Sequence, residues 1–429
     1  MEQLRIDAVQ AYHIGPFKEI HLPFPEKTDP ELAEIHIFTG ENGSGKSTLL
    51  EILSFPGNSD KLTPKIQVLN NTFVIPKFQL DFILKKSSGG IVEDRYTAEF
   101  TNGRFQETHT SIKVINDYFS RIKNYPHAIF DYAFFAYSGY RKLDQINVGA
   151  IQEINENPLS AALDFNNSTN PQLLIQWIAN TKTKEALSLA KKDQQKAAQY
   201  NNAIKRIERI INEITDLPIS FELEDNPLAV TILSGNTKLP FGVLPDGLKS
   251  IISWIADLLM RMDRLPWRDN IDIFDRNFIL FLDEIEVHLH PKWQRKILPV
   301  IQKLFKNAQI FVSTHSPFVI GSIDNAWVYK FEKQGPSPSP ILSEDAKSYR
   351  MILEEIFDIK KQFGIEVEKQ LDRFYQLKNE IIKGSQPDMN EFNEISRNLA
   401  SQSNELENII GMEIKQIKKI KGEQFEIPL

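Results

Sequence analysis

Cysteine is missing from the 429 residues of this chain, and no stretch of it stays apolar for long. Without thiols the protein forms neither disulfides nor thiolate metal sites, and it has no thiol nucleophile. No run approaches the roughly 18 apolar residues that cross a bilayer, and the opening "MEQLRIDAVQAYHIG" has no apolar signal-peptide core. We therefore expect a cytoplasmic protein with no membrane contact of its own.

An excess of basic residues is missing as well. The 50 Lys and Arg side chains are outnumbered by 57 Asp and Glu side chains, which gives a net charge of −7. Nucleic acid would therefore have to bind at a local basic patch, and the candidate is "KQIKKIKG" at 415–422. Such a stretch is more typical of a solvated helix face, so a nucleic-acid partner stays an open alternative.

The clearest motif that is present is "GENGSGKST", residues 40–48, which directly follows the apolar run "EIHIF". It fits G-x-x-x-x-G-K-[ST], in which glycines let backbone N–H groups point at phosphate oxygens and the following helix adds its positive end. In this motif the lysine reaches the β- and γ-phosphates and the last hydroxyl coordinates Mg²⁺. The sequence therefore predicts an ATP and Mg²⁺ site built from Gly40, Asn42, Gly43, Ser44, Gly45, Lys46, Ser47 and Thr48.

Two further strand ends carry side chains suited to nucleotide hydrolysis. The run "ILFL" ends in Asp283, which we expect to support the metal ion, and Glu284, which we expect to accept a proton from an attacking water. The next predicted strand ends in "STHSP", where His315 would contact the γ-phosphate. The intervening "HLHP" has two histidines without a nearby third ligand, so we expect it to contact a partner subunit and not a metal.

The motifs "GENGSGKST", "FLDEIEVHLHP" and "STHSP", in this order, resemble the ABC-type ATPase head of the SMC-like and OLD-like group. The resemblance covers residues 1 to about 331. It implies a head-to-tail dimer in which the signature motif of one subunit completes the nucleotide site of another. The counterpart here is "VLPDGLKSII", with Asp246 and Gly247 at the nucleotide, and Pro245 stands where the family usually has a serine whose hydroxyl would bind the γ-phosphate.

Two more roles in this family have only loose counterparts in the chain. Gln67 and Gln79 are the candidates for the glutamine of the family's Q-loop, and Phe17 is the candidate contact of the base.

The predicted fold is α/β, a P-loop ABC-type ATPase head with an antiparallel β lobe, a helical insert and a C-terminal helical domain. Alternating residues predict strands between about 66 and 115 with a hairpin turn at Asn102-Gly103. The insert is helical from about 170 to 216, a span of about 70 Å if the helix is unbroken. The expected parts are an N-terminal ATPase half (1–167), the insert (168–217), a C-terminal ATPase half (218–331), a linker (332–342) and the helical domain (343–429).

Three features that the chain lacks exclude several classes of ATPase within this group. The chain has no Cys-x-x-Cys for a zinc hook, no arms of hundreds of residues, and no C-terminal pattern of an acidic metal-dependent nuclease. A head followed by a small helical domain resembles the PtuA-type ATPases of Septu and retron-associated antiviral systems, which work beside an HNH nuclease. We therefore interpret the chain as an ATPase without its own nuclease, a homodimer or higher oligomer that regulates or assembles an effector nuclease in anti-phage defence.

Three other interpretations stay open. The chain could be an SMC-like ATPase that tethers DNA during repair, or a scaffold that hydrolyses ATP slowly and sequesters a toxin nuclease. A transporter's nucleotide-binding subunit would share the same motifs. Pro245, the "HLHP" segment and the acidic helical tail argue against a transporter.

Overall fold

The structure is a computed structural model that describes residues 2–54, 75–101, 104–107, 113–139, 148, 150–333, 335–343, 348–359, 361, 363–385 and 387–422. The chain divides into two units, Met1–Phe357 and Asp358–Leu429. Each unit has a hydrophobic core of its own.

The helices and strands are numbered here in chain order. The N-terminal part contributes β1 (Gln3–Ile14), β2 (Phe17–Pro23), β3 (Glu34–Gly40), α1 (Lys46–Ser54), β4 (Lys77–Lys85), β5 (Ile91–Thr101), β6 (Arg104–Glu107), α2 (Lys113–Lys123) and β7 (Tyr132–Tyr137). The middle contributes α3 (Pro171–Ala190), α4 (Gln194–Thr215), β8 (Ile219–Asp225), β9 (Leu228–Ser234), β10 (Thr237–Pro240) and α5 (Asp246–Arg264). Then follow β11 (Asn277–Leu282), α6 (Pro291–Leu304), β12 (Ala308–Ser313), α7 (Pro317–Ile320), β13 (Ala326–Phe331), β14 (Ile341–Leu342), α8 (Tyr349–Met351), a π-turn (Ile352–Ile356), α9 (Ile365–Lys383), α10 (Met389–Gln402) and α11 (Asn404–Lys421).

A six-stranded sheet in the order β14-β13-β3-β12-β11-β7 lies at the centre of the first unit and confirms the predicted α/β class. All neighbours pair in parallel except β14. Strands that are covered on both faces carry apolar side chains at successive positions, which explains runs such as "NFILFL". Because parallel strands end at the same edge of a sheet, the loops after β3, β11 and β12 meet there.

The β lobe is an antiparallel sheet in the order β2-β1-β4-β5-β6. The predicted strands extend slightly too far, because residues 113–115, at the end of the alternating stretch, already belong to α2. Val114, Ile115 and Tyr118 lie on one buried face of that helix, at a spacing that fits a helix better than a strand. The predicted turn at 102–103 and the candidate Gln67 lie outside the described residues.

The helical insert is a pair of antiparallel helices, α3 and α4, and not one long helix. The break lies at Lys192, whose φ of 62° ends the helical run, and Asp193 caps α4 by accepting the Lys196 N–H at 3.1 Å. A single helix of about 70 Å would leave much of the isoleucine stripe of α4 in water. The turn instead lets α4 pack against α5, α6 and β8 within the first unit, which buries Ile204, Ile207, Ile211 and Ile214.

The helical region after the linker belongs to both units. Ile352 and Ile356 are part of the core of the first unit, so residues up to 357 belong there, whereas the sequence pattern sets a boundary at 343. In the second unit α9, α10 and α11 surround a core of Leu371, Phe374, Leu377, Ile381, Phe392, Leu399, Leu406, Ile410, Ile414 and Ile417. Throughout the described ranges, each helix is too short or too polar to cross a bilayer.

A buried ionic cluster surrounds Glu34 at the start of β3. Its Oε1 accepts hydrogen bonds from Arg5 at 3.0 Å, His36 at 2.9 Å and Gln309 at 2.6 Å. Burial favours the neutral acid, but His36 and Arg5 outweigh burial and lower the pKa of Glu34 to about 2. A depressed pKa means that this carboxylate stabilises the fold above about pH 4.5 and that its contribution is lost as the pH falls toward 2.

We expect Glu34→Gln to lower the free energy of unfolding at pH 7 by about 3 kcal/mol, because buried Arg5 then loses its buried countercharge and keeps only the exposed carboxylate of Asp7. The difference in free energy of unfolding between variant and parent should shrink as the pH falls from about 4.5 to 2. Urea unfolding at several pH values measures this gap, and Glu93→Gln, at an exposed position on β5, serves as the control. A gap that does not change with pH would contradict the low pKa of Glu34.

Candidate functional site

The segment after β3 forms a tight glycine loop that leads into α1. Gly40, Gly43 and Gly45 have φ values of 131°, 78° and 107°, which favour glycine. A Cβ at Gly45 would lie 2.3 Å from the ring of Phe17, and one at Gly40 would lie 2.0 Å from the carbonyl oxygen of Phe331. The backbone path of the loop therefore depends on glycine at both positions.

Lys46, the first residue of α1, is 6% exposed and folds back over the loop. Its Nζ donates to the carbonyl oxygens of Gly40 at 2.9 Å and Glu41 at 2.8 Å. Burial lowers the pKa of Lys46, and the carboxylates of Asp283 and Glu284 oppose that shift. The ammonium group thus lies inside the loop, where phosphate oxygens can replace the two carbonyls.

Ser47 and Asp283 meet at the shared edge of the central sheet. The Ser47 hydroxyl donates to Oδ1 of Asp283 at 3.0 Å, and the hydroxyl of Ser313 at the end of β12 donates to the same oxygen. Hydroxyl and carboxylate oxygens are the ligands that Mg²⁺ prefers, and Mg²⁺ takes few protein ligands when phosphates supply the others. The Ser47–Asp283 pair therefore fits a Mg²⁺ ion held together with a nucleotide.

Glu284 follows Asp283 with a φ of 49°, an uncommon value for a residue with a side chain. Its N–H donates to the Ser313 hydroxyl at 2.8 Å, which holds this backbone in place. Glu284 and the glycine loop border one open cleft of about 480 Å³. The cleft is lined by Gly15, Pro16, Asn42, Gly43, Gly45, Lys46, Ser47, Thr48, Glu284, Ser313 and His315.

His315 reaches the same cleft from the loop after β12. Burial lowers the pKa of His315, and the positive charge of Lys46 lowers it further. The carboxylate of Asp283 opposes both effects. The imidazole is therefore neutral at pH 7 and can serve as a hydrogen-bond donor to a phosphate oxygen. The backbone N–H of His315 donates to the carboxylate of Glu286.

The signature-like region does not line this cleft in its own chain. Asp246 begins α5 with an exposed side chain, and no side chain caps that helix. A Cβ at Gly247 would lie 2.5 Å from the carbonyl oxygen of His288. Gly247 thus allows the "HLHP" loop to pack closely against α5.

The structure places two of the predicted residues, Phe17 and Gln79, outside the cleft. Phe17 is buried beneath Gly45 and packs on Phe331 at 6.2 Å between ring centroids, so its ring is not available to stack on a base. Gln79 lies on β4 and donates to Asp81.

Some residues of the site were not predicted. Ser313 and Glu286 were missed although both lie inside the quoted motifs, in "STHSP" and "DEIE". Gly15 and Pro16 were also missed, because only the fold brings the β1–β2 turn beside the glycine loop.

Residues 35–321, more than half of the chain, match the protein family described as "AAA domain, putative AbiEii toxin, Type IV TA system".

Similar curated proteins include "Retron Ec83 probable ATPase" of Escherichia coli, 32% identical over 145 residues, which covers 33% of this chain and 26% of that protein. "Retron Vc95 probable ATPase" of Vibrio cholerae is 26% identical over 255 residues, with coverages of 53% and 47%. "Septu protein PtuA" of Bacillus thuringiensis is 27% identical over 189 residues, with coverages of 38% and 48%. The chain thus spans about a quarter to a half of the length of these relatives.

Solved structures show a weaker likeness. The SMC head domain from Thermotoga maritima aligns at a TM-score of 0.43 and 13% identity over 79% of this chain and 99% of that chain. An SMC head bound to the C-winged helix domain of ScpA aligns at 0.43 and 12% identity, with coverages of 80% and 98%.

Proposed function

Since the chain belongs to the AAA-domain family described as putative AbiEii toxin of type IV TA systems, we propose that it binds ATP with Mg²⁺ and hydrolyses it. The observation that carries this proposal is the meeting of three strand ends at one cleft. Lys46 and Ser47 come from the loop after β3, Asp283 and Glu284 follow β11, and His315 follows β12. Phosphoryl transfer needs such a phosphate cradle, metal ligands and a proton acceptor in one place.

Each group has a separate role in the proposed reaction. The N–H groups of the glycine loop and the ammonium of Lys46 bind the phosphate oxygens. Ser47 and Asp283 hold Mg²⁺, which when bound neutralises charge on the phosphates. Glu284 accepts the proton of the attacking water, and His315 donates a hydrogen bond to the γ-phosphate.

We also propose that two copies act head to tail. Asp246 and Gly247 lie at the start of α5 and outside the cleft of their own chain. The positive end of this helix in a second copy can then reach the γ-phosphate from the open side of the cleft. ATP would thereby hold two heads together, and hydrolysis would release them.

The names of the relatives, two retron ATPases and a Septu protein, support a role in bacterial antiviral defence. In this role the nucleotide state regulates or assembles a separate effector, an HNH or other nuclease, and the chain itself cuts nothing. The helical unit at 358–429 and the α3–α4 pair are the surfaces we propose for that partner. Nucleic acid is a second proposed partner, and the proposed location is the cytoplasm.

A slowly hydrolysing scaffold that holds a toxin nuclease inactive is the second candidate. Pro245 favours it, because proline has no hydroxyl to bind the γ-phosphate and caps α5 without a side-chain hydrogen bond. In that case ATP binding alone would keep the nuclease inactive.

The purified full chain is expected to release phosphate from ATP only while Mg²⁺ is present. Removing the ion with EDTA should lower the rate at least 100-fold, because Ser47 and Asp283 then no longer fix the metal-bound phosphates. A coupled phosphate assay with EDTA, and with excess Mg²⁺ restored, measures this. Tight ATP binding without any phosphate release would contradict hydrolysis and favour the scaffold, whereas equal release with EDTA would contradict the metal site.

A further inference from the structure

Glu286 lies two residues after the proposed base and has no role in the reaction described above. One oxygen of its carboxylate accepts the backbone N–H of His315, 29 residues further along the chain. The other oxygen, Oε2, is buried and has no hydrogen-bond partner within the described part of the chain. A carboxylate with one buried, unpaired oxygen at this place therefore needs a physical explanation.

Side-chain hydrogen bonds join the loops after β11 and β12 in two places, and the Ile285 N–H also donates to the Ser313 carbonyl oxygen at 3.4 Å. At the strand ends, the Ser313 hydroxyl binds Asp283 and accepts the N–H of Glu284. Two residues later, Glu286 joins the loops again by binding the backbone of His315 itself. The first link holds the proposed metal ligand and base, and the second holds His315, which lines the cleft and is the proposed contact of the γ-phosphate.

The surroundings of Glu286 do not favour a charged group. Burial raises its pKa and the charge of Glu284 adds to the rise, whereas the hydrogen bond from the His315 amide opposes it. An apolar side chain would avoid this cost of desolvation. The carboxyl group is thus best explained by the amide that it binds.

We propose that Glu286 is a positioning residue that holds the His315 backbone so that the imidazole faces the γ-phosphate. Glu286 acts through His315 and as a hydrogen-bond acceptor, so its negative charge is not what the reaction needs. This inference rests on the proposed ATP hydrolysis and adds to it a link between the two loops.

Glu286→Ala is expected to lower kcat for ATP at least about 10-fold and to change KM less than about 3-fold, because the glycine loop and Lys46 still bind the phosphates. Glu286→Gln should recover most of the lost rate, since its amide oxygen can accept the same N–H. The measurement is steady-state phosphate release by the full chain. Equal losses in the two variants, or a loss that falls mainly on KM, would overturn the proposal.

A double-mutant cycle separates positioning from an independent role. If Glu286 acts through the histidine, Glu286→Ala combined with His315→Ala should be no slower than His315→Ala alone. Multiplicative losses would overturn the proposal. Glu93→Ala, at an exposed position on β5, is the matched control and should leave kcat and KM unchanged.

The position of His315 can also be measured without turnover, which separates this inference from the proposed function. The imidazole NMR resonances of His315 should shift in Glu286→Ala, return toward the parent values in Glu286→Gln, and stay unchanged in Glu93→Ala. Unchanged resonances in Glu286→Ala would overturn the proposal even if the parent hydrolyses no ATP.

Discussion

Replacing Lys46 with alanine is expected to abolish measurable ATP binding by the full chain. The ammonium lies inside the glycine loop and is bound there by two carbonyl oxygens. Charge-assisted hydrogen bonds to phosphate contribute about 1.5–3 kcal/mol each. Losing two of them raises Kd by at least about 100-fold.

The matched control for this variant is Lys27→Ala. Lys27 also donates to backbone carbonyl oxygens, those of Pro30 at 2.9 Å and Leu32 at 2.8 Å, and burial also lowers its pKa. It does not line the cleft, so its variant should bind ATP like the parent. Titration with a fluorescent ATP analogue measures both affinities, and thermal unfolding checks that each variant is folded. Unchanged affinity in Lys46→Ala would show that the loop does not bind phosphate as proposed.

Glu284→Gln is expected to bind ATP and to lower its hydrolysis by about 1,000-fold, within the range attributed to a general base. Glutamine keeps the shape of the side chain but cannot take a proton from water. The backbone should stay in place, because the N–H of residue 284 still donates to Ser313. With ATP retained, the proposed head-to-tail dimer should accumulate.

Two measurements test this variant. Single-turnover hydrolysis gives the rate of the chemical step, and light scattering with and without ATP gives the mass of the particle. Glu93→Gln is the control for both, since residue 93 lies at an exposed position in the β lobe. Equal turnover in Glu284→Gln and the parent would rule out Glu284 as the base, and an ATP-independent mass would contradict the dimer.

The glycine loop could be predicted from the sequence because its requirements are local. Backbone N–H groups can surround a phosphate only along a path with positive φ values, and glycine at 40, 43 and 45 permits that path. The α/β class could also be predicted from the sequence, since parallel strands that are covered on both faces are apolar throughout. Asp283 and His315 followed from the same reasoning, as polar residues within two positions of the ends of such strands.

Other features could not be predicted because they depend on what a segment packs against. The alternating stretch runs to about 115, yet residues 113–115 begin α2, a helix whose apolar face is buried. The insert is long enough for one helix, yet a turn at Lys192 lets α4 pack against α5 and α6. The aromatic ring of Phe17 is taken up by the packing beneath the glycine loop and does not face a ligand.

The sequence by itself determined the groups on which the proposed chemistry depends, a glycine loop with a lysine, and two acids and a histidine after buried strands. Only the tertiary structure decided which of these groups lie together. It joined Ser47 to Asp283 across 236 positions of the chain and His315 to Glu286, and it left Asp246 and Gly247 outside the cleft. The reason is physical, since a motif expresses local backbone and side-chain requirements, whereas hydrogen bonds between loops depend on the order of strands in the sheet.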